Sequence, residues 1–398
     1  MAILFISNLV PDRPPYNGSG FARSGNNALL GIGGSLPDEE NPILISCRPV
    51  SSFPKGPLWF KGETVKLDSG REVKILPTLN LKVIKNLFWA FQLKRIIKRW
   101  TKEEKSSSKN VLVYNIYTPP ISKLYKICKK RSAKLYAILY DLGVPAASLN
   151  LSWISRLGFK AMEKEAYKYI PLLDGRIIIN EKMSEKYAPG KDYVLIDGGV
   201  NNQVISRLFP LVEKENGERL ILTLAGWLWE ENGTKLLLNC MKENPDLDVE
   251  VYFAGNGQDV ELIKSGAKSD SRIHYVGMLE PDALFKLYEK SDVLLNLRVA
   301  EEDNTQFPSK LLEYMATGKQ VISTSIAHAE RDYGEYITIL PKTTPAALAQ
   351  AIRQILHTDS KVLKERGEKV RKFMLENRNW EARTKEIVDY IKAHNAQK

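Results

Sequence analysis

The chain has 398 residues, enough for two domains, and its mixture of apolar, charged, Gly and Pro residues is that of a folded globular protein. Cys47, Cys128 and Cys240 lie far apart, and His274, His328, His357 and His394 do not pair at ligand spacing, which argues against a disulfide framework and a protein-bound zinc site and points to a reducing cytoplasm. A formal net charge of +11 implies attraction to anions, whether nucleic acid, acidic lipid or phosphorylated substrates, without choosing among them.

The opening "MAILFIS" is apolar but short, lacks a positive n-region and runs into Pro-Asp-Arg, so it reads as a buried first strand and not as a signal peptide. No apolar run approaches the ~20 residues of a membrane span. Then comes "NGSGFARSGNNALL", in which Gly18, Ser19 and Gly20 precede a helical pattern. Small residues let a backbone approach a ligand, and free amides at a helix start attract phosphate or sugar oxygens. The spacing is not the dinucleotide fingerprint, and a plain flexible loop remains the other reading.

Residues 80–100, "NLKVIKNLFWAFQLKRIIKRW", place Ile84, Leu87, Phe88 and Phe91 at helical spacing among Lys82, Lys85, Lys94, Arg95, Lys98 and Arg99. With Trp89 and Trp100 this gives a broad apolar face, open to two readings: an interfacial helix on anionic lipid, or a core helix with a solvated basic side. A second basic run, residues 123–134, lies in the same half. Next, "LYAILYDLGVP" ends an apolar strand at Tyr140 and Asp141. Polar residues at the C-terminal end of a parallel strand sit where open α/β sheets bind ligands, so Asp141 is a base, a sugar-hydroxyl acceptor or a helix cap.

Short Val/Ile/Leu runs alternate with helical patterns along the whole chain. One series falls at 3–7, 42–46, 73–76, 111–115, 134–140, 176–180 and 193–196. A second falls at 219–225, 249–254, 273–276, 293–296, 320–324 and 337–339. Continuous apolar strands separated by helices predict parallel sheets covered on both faces, here as two doubly wound halves. The Gly- and Asn-rich stretch 197–219 separates them, and residues 377–395 form a final patterned helix with Trp380, Ile387 and Ile391 on its apolar side.

In the second half, "LILTLAGWLWEENGTKLLLNCM" repeats the strand, Gly-loop and helix order. Gly226 and Gly233 bracket a loop with Trp227 and Trp229, which either pack between domains or stack on a ligand ring. Further on, "NTQFPSKLLEYMATGKQVIS" follows a buried strand and an Arg298-to-Thr305 loop. Pro308 suits a first helical turn and Gly318 ends the helix. The amides of Ser309, Lys310 and Leu311 are placed to cradle a phosphate, with Lys310 adding charge. Glu313 lies one turn on, where it can accept from ribose hydroxyls.

"FPSKLLEYMATGKQVIST", preceded by "VYFAGNG", "RIHYVGML" and "LYEKSDVLLNL", resembles the retaining nucleotide-sugar glycosyltransferases of family four. The resemblance covers nearly all of the second half. It implies the GT-B architecture of two facing Rossmann-like domains, with a last helix crossing back to the first domain. The expected domains are residues 1–200 with 377–398, binding the acceptor, and 201–376, binding the donor. The resemblance makes Glu313 the ribose-binding second glutamate of a Glu-x7-Glu motif and places Met278 against the base. Thr305 stands where the first glutamate belongs, with Glu301, Glu302 or Asp303 as substitutes. Trp227 and Asn232 stand where the family often has Arg and Lys for the diphosphate, leaving Lys235, Arg298 or Lys310 to compensate. Tyr140 and Asp141 stand where the family has His-Asp.

The expected function is sugar transfer from a nucleotide-diphosphate donor to a hydroxyl of a lipid-linked or growing surface glycan. No metal or other cofactor is expected, catalysis coming from positioning and from stabilising the departing diphosphate. The expected location is cytoplasmic, peripheral on the inner face of the membrane through residues 80–100. The alternative is a non-catalytic partner subunit that keeps the fold and stabilises another transferase, motivated by Thr305, Trp227 and Asn232. A sugar epimerase on the same architecture is a weaker rival. Nucleic acid is not an expected partner, since the chain lacks an aromatic-basic motif of known spacing.

Overall fold

The structure is a computed structural model that describes residues 1–18, 23–82, 84–117, 119–140, 142, 153–214, 218–299 and 307–396. It forms two units: Met1–Gly199 with Trp380–Lys398, and Val200–Asn379.

Unit 1 is built on strands β1 (Ala2–Ser7), β2 (Ile43–Ser46), β3 (Trp59–Phe60), β4 (Glu63–Lys66), β5 (Glu72–Ile75), β6 (Thr78–Leu79), β7 (Lys109–Tyr114), β8 (Lys134–Ile138), β9 (Gly175–Ile178) and β10 (Val194–Leu195). Eight of them form one sheet in the order β10-β9-β8-β7-β1-β2-β5-β4, while β3 and β6 pair as a separate antiparallel ribbon. The central strand β1 is buried along its whole length. Its side chains alternate, Ala2, Leu4 and Ile6 entering one core and Ile3 and Phe5 the other. That explains an uninterrupted apolar strand: both faces are covered.

One face is covered by the helix Ile84–Glu103 through Trp89, Leu93, Ile97 and Trp100, together with the helix Ile121–Lys130. Trp89 and Trp100 thus belong to the core, which for these two residues favours the core-helix reading over the interfacial one; the 3.6-residue period carries them inward, and Trp89 Nε1 donates to Thr78 Oγ1 at 3.0 Å. The other face is covered by the helix Arg23–Ser35 and by the last helix, Trp380–Ala396, through Trp380, Ile387 and Ile391. Gly31 permits this contact, since a Cβ there would fall 2.2 Å from Trp380 Cγ. A buried ion pair fastens the last helix: Arg383 Nη2 lies 3.1 Å from Asp197 Oδ1 and donates to the Leu195 carbonyl at 2.9 Å.

Two expectations shift. The edge strand β4 runs antiparallel to β5, so the sheet is not wholly parallel. The final helix, expected at 377–395, begins at Trp380, since Asn377 ends a separate helix, Ser360–Asn377, and Asn379 bridges Val200.

Unit 2 contains β11 (Leu220–Trp227), β12 (Val249–Asn256), β13 (Ile273–Gly277), β14 (Val293–Asn296), β15 (Gln320–Thr324) and β16 (Thr338–Leu340). Their order is β13-β12-β11-β14-β15-β16, with every adjacent pair parallel. The order reverses between β11 and β14. In an open α/β sheet that reversal leaves a crevice beyond the carboxyl ends of the strands.

Candidate functional site

A pocket of about 360 Å³ opens at the carboxyl ends of β11, β12 and β13. Its floor is Ala225-Gly226 and Ala254-Gly255, its rim Trp227, Asn256 and Met278, and one side is Lys310. Backbone geometry makes this possible. Gly226 and Gly255 have φ of +127° and +138°, a region L side chains rarely occupy, and they pair across the ends of β11 and β12. A Cβ on Gly255 would sit 1.9 Å from the Gly226 carbonyl oxygen. Two bonds lock the rim: Leu228 N–H donates to the Asn256 carbonyl at 2.9 Å, and the Tyr275 hydroxyl to the Gly255 carbonyl at 3.0 Å.

The helix Ser309–Thr317 brings its N-terminus to this pocket. Lys310 Nζ donates to the Ala225 carbonyl at 3.0 Å, and the Tyr314 hydroxyl donates to the same oxygen at 3.3 Å. Leu311, Leu312 and Met315 are buried beneath, so the helix cannot roll without exposing its apolar face. Pro308 is the extended N-cap residue and not the first helical one, and no side chain caps the turn. The Leu311 amide donates to the Pro308 carbonyl at 2.9 Å. That corrects the expectation of three free amides, because a tight first turn uses the third. No described residue accepts from the amides of Ser309 or Lys310, which remain directed outward from the helix end.

Glu313 lies one turn on, beside Lys310 and the Tyr288 hydroxyl. The Tyr288 and Tyr314 rings meet edge to face at 5.4 Å and wall it in. Burial raises the Glu313 pKa from its usual value, opposed chiefly by the Lys310 charge. Burial likewise lowers the Lys310 pKa, opposed by Glu313. Each charge opposes the shift that burial imposes on the other.

The remaining expected residues divide. Gly226, Trp227, Met278 and Lys310 share the one pocket. Trp227 is 65% exposed and leans on Trp229, ring centroids 5.5 Å apart, so it presents an open ring face at the rim. Asn232 donates to the Trp227 carbonyl at 2.7 Å and so braces the loop. Lys235 forms an ion pair with Glu230 and does not line the pocket. Arg298 is half-buried after β14, its carbonyl accepting from Thr324 Oγ1, and its side chain is not part of the pocket wall.

In unit 1, Gly18 has open space around it, and the loop after β1 is clamped where Asn26 exchanges bonds of 3.0 and 2.9 Å with the Val10 amide and carbonyl. Tyr140 is a core residue against Tyr114, with its hydroxyl pKa pushed up by burial. It is not a proton carrier in the manner of a histidine. Ser19, Gly20, Asp141, Glu301, Glu302, Asp303 and Thr305 lie outside the described residues. Tyr288, Tyr314, Gly255 and Asn256 were not singled out by sequence. The tyrosines read as ordinary apolar positions of helices, and only the "AGNG" spacing hinted at the other two.

Residues 218–358 match the family described as glycosyl transferases group 1. The matched residues all lie within unit 2. The match spans all six strands of its sheet and the helix bearing Lys310 and Glu313. No curated protein sequence matches the chain. Among solved structures, a sucrose-phosphate synthase from Thermosynechococcus elongatus superimposes with a TM-score of 0.65 at 15% identity, covering 100% of both chains. The catalytic domain of starch synthase IV from Arabidopsis thaliana, bound to ADP and acarbose, gives 0.65 at 10% identity over 100% of this chain and 99% of that one. Anabaena HepE in complex with UDP gives 0.63 at 12% identity over 99% and 100%. At such identities the likeness establishes the fold alone, an α/β fold of the GT-B class with two Rossmann-like domains.

Proposed function

We propose that the protein is a retaining glycosyltransferase that moves a sugar from a nucleotide-diphosphate donor to a hydroxyl of a lipid-linked or surface glycan. The observation that supports this most directly is one pocket holding a helix N-terminus, Lys310 and the glycine ends of β11 and β12, with Glu313 a turn away. In this reading the diphosphate rests on the amides of Ser309 and Lys310 and on the Lys310 ammonium. Glu313 accepts from the ribose hydroxyls, and the base lies along Met278 and the end of β12. The bare backbone at Gly226 lets the donor approach closely, and Trp227 stacks on a donor ring. Asp141 and Thr305 act near the transferred sugar, Asp141 on the acceptor side. Unit 1 receives the acceptor, with its Gly18-to-Gly20 loop among the contacts. Positioning and electrostatic stabilisation of the leaving diphosphate supply the rate, and no resident cofactor is required.

The test is a thermal-shift and turnover panel of UDP- and ADP-sugars. A donor present at about a hundred times its Kd stabilises by about 2.7 kcal/mol. Binding with slow hydrolysis or transfer, both lost in Glu313→Ala, supports the reading. Binding without any turnover turns the assignment to a non-catalytic partner subunit, and absence of donor binding removes both.

A further inference from the structure

We propose that unit 1 docks on an anionic membrane surface through the outward face of the helix Ile84–Glu103 and the adjoining β3 ribbon. The helix has two sides. Trp89, Leu93, Ile97 and Trp100 fill the core, yet Ile84, Leu87 and Phe91 point outward, each about half exposed. Phe53, Leu58 and Trp59, also about half exposed, extend the same patch. The Trp59 and Phe88 rings meet at 6.0 Å, and Phe53 and Leu58 are held to the segment leading into the helix by backbone bonds to Asn80 of 2.9 and 2.8 Å. The two exposed phenylalanines among the described residues, Phe53 and Phe91, both lie here. Phe and Trp standing proud of a folded surface are costly in water and favoured at a bilayer interface.

Charge decides the occupant. Beyond Phe91 the outward face becomes basic, with Lys94, Arg95 and Lys98 all exposed. Lys55 and Lys61 stand exposed on the ribbon side. No Asp or Glu occurs from Pro49 to Gly62 or from Val73 to Lys102. The Arg95 guanidinium lies over the Phe91 ring at 4.7 Å, so cation and apolar edge form one surface. Lys85 is excluded from this count because it donates to the Val50 carbonyl, and Arg99 because it pairs with Glu103. A second copy of so uniformly basic a face would meet like charge, whereas acidic headgroups above an acyl layer match both parts at once.

The experiment is co-sedimentation of the full-length protein with phosphatidylglycerol-containing vesicles and with pure phosphatidylcholine vesicles. The probes are the wild type, a Leu87→Ser/Phe91→Ser variant and a Lys94→Gln/Arg95→Gln/Lys98→Gln variant. All changed side chains are exposed, and matching thermal melts confirm folding. Binding to the anionic vesicles only, weakened on the order of a hundredfold by the three neutralised charges and by rising salt, is the expected result. The serine variant loses at least tenfold. Absence of binding to anionic vesicles overturns the proposal, as does equal binding by all three proteins. A concentration-dependent dimer abolished by the serine variant, with no vesicle binding, assigns the face to self-association instead. The result is independent of the donor panel, since the changed residues lie in unit 1 and the donor pocket in unit 2.

Discussion

The Lys310 ammonium donates to the Ala225 carbonyl at 3.0 Å, joining the first turn of one helix to the last residues of the first strand of unit 2. The cation is thereby set in place before any anion arrives. Lys310→Met keeps the aliphatic stem and removes the charge. Donor affinity should fall by about 1.5–3 kcal/mol, the usual worth of a hydrogen bond to a charged group. Tm should fall, because Glu313 loses the charge that opposes its burial and the Ala225 carbonyl loses a donor. Isothermal titration beside a thermal melt checks both halves.

Glu313 makes stability depend on pH. Its folded pKa is raised above the usual 4.5, chiefly by burial. Between those two values the folded state binds more protons than the unfolded state, so its contribution is fully present below 4.5 and is lost as pH rises through the folded pKa. Lys310 acts at the alkaline end: its lowered pKa means that stability increases as pH approaches the usual 10.5. Urea unfolding of wild type and Glu313→Gln across the acid range should show the wild type losing ground to the variant as pH rises from 4.5 towards neutral. Parallel curves would exclude Glu313 as the source.

Gly255→Ala should be far worse than Gly226→Ala. At Gly255 the new Cβ meets a backbone oxygen at 1.9 Å, and φ is +138°, so β11 and β12 must separate. The cost should exceed about 3 kcal/mol, seen as a large fall in Tm. At Gly226 the nearest group is the mobile end of Lys310 at 3.0 Å. That substitution carries the φ strain but can be relieved by moving the lysine, so it should weaken donor binding more than folding.

Trp227→Ala should leave the unfolding free energy within about 0.5 kcal/mol of wild type, since the ring is largely in solvent. If the ring stacks on the donor, affinity falls by about 1 kcal/mol, close to tenfold. An unchanged Kd would return Trp227 to a purely structural role beside Trp229.

Arg383→Ala removes one partner of the Asp197 pair, whose side chains are 5% and 3% exposed. Removing one member of a buried ion pair costs about 3–5 kcal/mol. Chemical denaturation should show the loss in the transition assigned to unit 1.

The sheet strands were largely legible because buried parallel strands read as unbroken Val/Ile/Leu runs, β1 and β14 most plainly. The ribbon of β3 and β6 was not, because two-residue strands leave no period to detect. At the site, Glu313 and Lys310 could be read from the Pro-x4-Glu pattern, and their shared helix was found as expected. What sequence did not reveal was pairing. The Leu311 amide is taken by Pro308, Lys235 by Glu230, and Asn232 by the Trp227 carbonyl. Each is a local competition for one donor, decided by backbone angles that residue types do not specify. Tyr140 shows the same limit: beside Asp141 it looked like a site residue, yet it faces Tyr114 in the core.

The ion-paired helix that closes unit 1 follows the whole of unit 2 along the chain. Translation therefore delivers the first 199 residues long before their second core can be sealed by Trp380, Ile387 and Ile391, whereas the intervening 180-residue unit emerges whole. Vectorial synthesis should mature unit 2 first and hold unit 1 open, its apolar groove exposed, until the helix that begins at Trp380 emerges. Stop codons placed between Gly199 and Trp380 should consequently damage unit 1, a fate that a linear string of two independent domains would escape.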